Sequence, residues 1–119
     1  MTYRLERLNS QLREEISDLV QRHVKDPRLG SMVSITSVEV SPDLRYAKVH
    51  VSRLGTPEQK QETLMALASA SGFIRHELGD RLKTRRIPEL SFRLDETIEK
   101  ANRVLRIIDR FSAEEKSGP

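Results

Sequence analysis

The chain has 119 residues, 36% of them hydrophobic and 33% charged, with no cysteine and a formal net charge of +3. That size buries one core but not two, and no apolar run approaches the roughly 20 residues a membrane span needs. Without cysteine there is no disulfide, thiolate metal site or cysteine nucleophile, which fits a reducing cytoplasm. The segment Met1 to Arg7 has neither the apolar region of a secretory signal nor the acid-poor character of a transit peptide, so a cytoplasmic protein with no membrane contact is expected.

Leu5, Leu8, Leu12, Ile16, Leu19 and Val20 recur at three- and four-residue steps, with charged residues on the other faces. This spacing predicts an amphipathic helix ending near Lys25, because Pro27 disfavours a helical Asp26 and Gly30 follows. In Val33 to Val40 the apolar positions change phase between Ile35 and Val38, so a bulge or a two-faced strand is expected near Thr36-Ser37. Ser41-Pro42-Asp43-Leu44 reads as a tight turn, and Ala47 to Ser52 alternate as the second strand of a hairpin.

Thr56-Pro57-Glu58-Gln59 combines an N-cap hydroxyl, proline at the first helical position and glutamine at the third. A helix starts there, with Leu64, Leu67 and Ala68 on its apolar side. Ala70-Ser71-Gly72 then interrupts it, and Phe73, Ile74, Leu78 and Leu82 continue the apolar pattern. A glycine inside a helix costs up to about 1 kcal/mol relative to alanine, so a kink between two helices is predicted here. After Pro88, Leu90, Phe92 and Leu94 alternate as a third strand. Asp95 or Thr97 caps a final helix with the stripe Ile98, Ala101, Val104, Leu105 and Ile108, and Ser112 to Pro119 form a disordered tail. Phe73, Phe92 and Phe111 fall on apolar stripes and are expected in the core.

Charge is unevenly placed. Residues 75–94 carry six basic and three acidic groups, an excess equal to that of the whole chain. Lysine and arginine at a helix end also complement its dipole, but the acid-free run Arg81 to Arg86 points to a phosphate-facing patch. The candidate RNA contacts are therefore Arg75, Arg81, Lys83, Arg85 and Arg86, with Lys48 and Arg93 on outward strand positions. With so few aromatics to stack on, such a surface would read backbone shape rather than bases.

Catalytic chemistry is not evident. His23, His50 and His76 lie on separate elements without metal-ligand spacing, and the adjacent carboxylate pairs point to different faces or lie in the tail. Glycines at 30, 55, 72, 79 and 118 match neither a P-loop nor a dinucleotide fingerprint. No metal, cofactor or enzymatic activity is expected.

An α+β chain ordered αββααβ, with a glycine kink between paired helices, resembles a type II KH domain whose GxxG clamp is replaced by Ala70-Ser71-Gly72. More specifically, the chain resembles the bacterial ribosome-binding factor A family. The residues carrying this are Asp26-Pro27-Arg28-Leu29, Val38 to Leu44 with Ala47 to Ser52, Ile74-Arg75 after the kink, and Pro88 to Phe92 with Asp95. The resemblance implies a single KH-like domain over residues 1–111, a C-terminal helix within it, and a loose tail at 112–119. It also implies a monomeric, cytoplasmic assembly factor that binds free, immature small ribosomal subunits. Its rRNA contacts would lie near the 5′-terminal helix and the decoding region, and it would assist late maturation and end processing, above all in the cold. The competing reading is a protein-interaction adaptor that docks through its C-terminal helix. Salt dependence separates the two, because only phosphate contacts release counterions.

Overall fold

Helix α1 (Thr2–Arg22) forms because its apolar stripe has a sheet to cover: Leu12, Ile16, Leu19 and Val20 are at most 1% exposed. In this computed structural model residues 2–30, 32–84, 86–97 and 105 are described. The helix stops at Arg22, short of Lys25, where the Leu19 carbonyl accepts the N–H groups of both His23 and Val24 at 2.9 and 3.1 Å. Pro27–Leu29 then make a single 3-10 turn capped by Asp26, and Gly30 follows with φ of 77°. A side chain at Gly30 would also press on the Arg53 guanidinium.

Strands β1 (Val33–Val40) and β2 (Tyr46–Arg53) form the expected antiparallel hairpin. Its register skips Thr36, between the pairs Ile35↔Val51 and Ser37↔His50, so the bulge lies where the apolar phase changes. In the turn, the Leu44 N–H donates to the Ser41 carbonyl at 2.8 Å, with Leu44 at φ 62°. Asn9 of α1 accepts the Val40 N–H at 2.9 Å, satisfying a donor on the sheet edge.

Helix α2 (Pro57–Leu82) begins in a full capping box: Gln59 N–H donates to the Thr56 hydroxyl, and Thr56 N–H to the Gln59 side chain. The kink predicted at Ala70-Ser71-Gly72 is not a break. One α-helix runs through it, so the described order is αββαβ and not αββααβ. The reason is phase. Thr63, Ala66, Leu67, Ile74 and Leu78 are all buried, and half-buried Ala70 bridges them, so one stripe crosses Gly72 without a shift. Continuous burial offsets the small local cost of glycine. Ala68 is exposed and Leu64 only half-buried, and Phe73, expected in the core, is 44% exposed.

Strand β3 (Glu89–Leu94) pairs parallel to β2, giving a sheet ordered β1-β2-β3 with α2 as the crossover between parallel neighbours. Both helices pack on one face, over Ile35, Val38, Val40, Ala47, Val49, Val51 and Leu90. Phe92 packs on this core half-buried. The final helix lies outside the described residues apart from Thr97 and Leu105, which are helical and exposed. Phe111 and the tail at 112–119 also lie outside them. Among the described residues, no helix is long and apolar enough to cross a membrane.

Candidate nucleic-acid interface

The described basic candidates other than Arg81 occupy two regions. Lys48 and Arg93 stand exposed on the sheet face turned away from the helices, Lys48 between Glu39 and Ser91 in register and Arg93 beside His50. Glu39 lies 3.8 Å from the His50 ring nitrogen, an atom with no hydrogen-bond partner among the described residues.

The second region is the end of α2 and its connection to β3. Lys83 terminates the helix in a left-handed conformation, φ 53° and ψ 43°, and its side chain is exposed. The Thr84 N–H returns to the Gly79 carbonyl, which turns the chain sharply toward Arg86. Arg75 donates to the Ile87 carbonyl at 3.0 Å, so it fastens this connection to the helix and keeps part of its guanidinium free. A shallow depression of about 300 Å³ opens between Arg75, His76, Asp80 and Thr84. Arg85 lies outside the described residues.

Arg81 belongs to neither region. Its Nη1 donates at 2.8 Å both to Glu15 Oε2 and to Asp18 Oδ2. Those two carboxylates, Glu15 foremost, raise the guanidinium above its ordinary pKa. Arg81 in turn holds the Asp18 carboxyl below its own, and Arg22 adds to that from 3.0 Å. The residue bolts α2 to α1. Lys48, Lys83, Arg86 and Arg93 have no carboxylate within ion-pair distance among the described residues.

Two further features carry no site signal in the sequence. Asp26 accepts the Arg28 backbone N–H at 3.0 Å and grips its guanidinium at 2.7 Å, while Arg28 also reaches the Ser69 hydroxyl at 3.2 Å. This pairing holds the Asp26 carboxyl below its usual pKa. The Asp26-Pro27-Arg28-Leu29 motif is thus a strap from the exit of α1 to α2, with Asp26 capping its 3-10 turn. Beside it, Phe73 is exposed because it sits one residue before buried Ile74, off the buried line. One trio, His76, Glu77 and Asp80, clusters on the surface of α2, with His76 3.6 Å from Asp80.

Comparison with known proteins covers nearly the whole chain. The family model described as ribosome-binding factor A matches residues 4–108. A ribosome-binding factor A of Caldanaerobacter subterraneus subsp. tengcongensis is 48% identical over 115 residues, covering 97% of this chain and 94% of its own length. One from Dictyoglomus thermophilum is 47% identical over 116 residues, 98% of this chain and 97% of its own. Among solved structures, a putative ribosome binding factor A of Thermotoga maritima has a TM-score of 0.72 at 38% identity, covering 83% of this chain and 93% of that one. A Thermus thermophilus ribosome binding factor A, fitted as a homology model into a cryo-electron microscopy map of a complex with the 30S subunit, has a TM-score of 0.61 at 28% identity and covers 73% and 90%. With an α+β sheet-and-helix fold that matches theirs and a family match running almost end to end, the chain belongs to the ribosome-binding factor A family.

Proposed function

We propose that this protein is a non-catalytic ribosome-binding factor that docks on immature small ribosomal subunits in the cytoplasm and contacts their rRNA. The observation that carries this is the near-complete match to a family with a member placed on the 30S subunit, at 28% identity to this chain. Assistance with late maturation and rRNA end processing, contacts near the 5′-terminal helix and decoding region, and a monomeric state belong to the same proposal.

Its mechanism is electrostatic docking on a rigid scaffold. Lys83 and Arg86 project from the turn that ends α2, Arg75 braces that turn, and Lys48 and Arg93 extend cationic character over the open sheet face. Cations without carboxylate partners attract phosphate and release counterions, whereas Arg81, already neutralised by two acids, serves the fold. Arg85 joins the proposed set by sequence alone. The KH-like character of the fold is part of this reading too, as a platform in which an unbroken α2 stands in place of the clamp loop.

The test is binding of the purified protein to immature and mature small subunits across a salt series. Preferential binding to the immature particle, with log affinity falling linearly in log salt, supports the reading. Affinity indifferent to salt would favour an adaptor that docks through its C-terminal residues. Repurification-resistant turnover of RNA or nucleotide would overturn the non-catalytic assignment.

A further inference from the structure

Leu44 stands where a hairpin turn of this shape takes glycine. The turn closes with the Leu44 N–H on the Ser41 carbonyl at 2.8 Å, and Leu44 then adopts a left-handed conformation at φ 62°. Leucine is strained there, and with its side chain 50% exposed it recovers little of that strain through burial. Instead it walls an open pocket of about 370 Å³, with Pro42 beside it and Arg4, Leu5 and Leu8 of α1 opposite.

The rim of this pocket carries charge that does not serve the fold. Helix α1 has no acidic residue in its first turn, and Arg4 sits at the positive end of the helix dipole with Arg7 three residues on, beside it on the helix surface. Neither arginine has a carboxylate within ion-pair distance among the described residues. Glu6 projects about 200° round the helix from Arg4, across the stripe that holds Leu5 and Leu8. Asp43, the acid of the turn, is occupied by the Ser41 hydroxyl at 2.6 Å and the Arg45 N–H at 3.1 Å.

The character of the pocket selects its occupant. Among the described residues no aromatic ring lines it, whereas unstacked bases are held on rings, so it fits a leucine, isoleucine or phenylalanine side chain. Its two unmatched arginines call for carboxylates next to that side chain. The pocket also lies at the pole of the proposed docking surface: the Glu89 N–H donates to the Arg45 carbonyl at 2.9 Å, which lands the connection bearing Lys83 and Arg86 beside this turn. We propose that the pocket seats a protein of the immature small subunit, through a bulky apolar side chain held among Leu5, Leu8, Pro42 and Leu44 and flanking carboxylates held by Arg4 and Arg7. The inference rests on the ribosome-binding reading and adds a protein contact to its rRNA contacts.

Purified immature small subunits serve as the probe at one fixed salt concentration, with a melting curve for each variant. Leu44→Gly removes the pocket wall and the backbone strain together, so it is expected to melt no lower than the parent while binding roughly tenfold more weakly. Leu44→Met keeps an apolar wall and should bind within about twofold of the parent. Arg4→Glu places an acid at the start of α1 and should also melt no lower, while binding several-fold more weakly. With Leu44→p-benzoylphenylalanine, ultraviolet light should attach the chain to a subunit protein, at a segment where Asp or Glu adjoins a bulky apolar residue. Parent-like affinity of Leu44→Gly or of Arg4→Glu would overturn the inference, as would crosslinking to rRNA alone, to residues 98–119 of the chain itself or to nothing. Failure of the parent protein to bind is a different result, and it removes the ribosome-binding reading itself.

Discussion

The Thr36 hydroxyl donates to Asp95 Oδ2 at 2.8 Å, joining a bulge in β1 to the residue that leaves β3. A regular strand would keep Thr36 in the ladder, and the skipped register frees its side chain to cross the end of β2. Asp95 meets it with both ends fixed: its N–H donates to the Val51 carbonyl at 2.7 Å, and its Oδ1 accepts the Thr97 N–H at 3.0 Å. Thr97 first, and then Thr36, hold the Asp95 carboxyl down at about 2 against an ordinary 3.8.

A depressed carboxylate pKa stabilises the fold above the unfolded value and loses that contribution as pH falls toward the folded one. The Asp95 contribution is therefore complete above about pH 4 and disappears between there and pH 2. Thr36→Val should lower stability at pH 7 by about 1 kcal/mol, a figure kept small by solvent screening, and its deficit relative to the parent should shrink on acidification. Urea midpoints at pH 7, 4 and 2.5 measure both. A deficit that stays constant across that range would mean Thr36 acts through packing and not through the carboxylate.

Thr63 is the buried polar group that ties three elements together. It is 0% exposed, donates to the Leu29 carbonyl at 2.8 Å and accepts from Arg53 Nε at 3.2 Å. Thr63→Val keeps the shape but strands both partners, and should cost about 2 kcal/mol. Thr63→Ser retains the hydroxyl and removes only a methyl, about 1 kcal/mol. Equal losses in the two variants by chemical denaturation would argue that packing and not hydrogen bonding is what the residue supplies.

Signals that act locally are legible in the sequence, and signals that need a distant partner are not. Pro42 in the turn, the Thr56 to Gln59 cap and the phase change at Thr36 each act within a few residues, so sequence displays them directly. The local cost of Gly72 points to a kink, whereas the longer pattern Leu67, Ala70, Ile74, Leu78 keeps helical phase and decides the matter for a continuous helix. Arg81 reads as part of a basic run because its partners Glu15 and Asp18 stand 66 and 63 residues away in the chain. Phe73 shares the apolar character of the core and misses it by a single helical step.

Arg81 therefore separates folding from binding. Arg81→Ala should lower the melting temperature, and by less at high salt where the ion pairs are already screened. Its affinity for small subunits and the salt slope of that affinity should match the parent wherever the protein is folded. A lower slope with unchanged stability would instead return Arg81 to the phosphate contacts.

Charge reversal at the end of α2 probes the proposed interface directly. Lys83→Glu and Arg86→Glu alter exposed side chains that have no carboxylate partner among the described residues, so folding should be nearly unaffected. Each reversal should weaken subunit binding and lower the magnitude of the log–log salt slope by about 0.7–0.9 for every phosphate no longer neutralised. Lys48→Glu and Arg93→Glu ask the same of the open sheet face, and the two pairs should add if both surfaces touch rRNA at once. If only the α2 pair changes the slope, the sheet face is solvent-facing in the complex and the interface contracts to the end of the helix. If neither pair does, the docking charge lies elsewhere, and Arg4 and Arg7 at the start of α1 become the residues to reverse next.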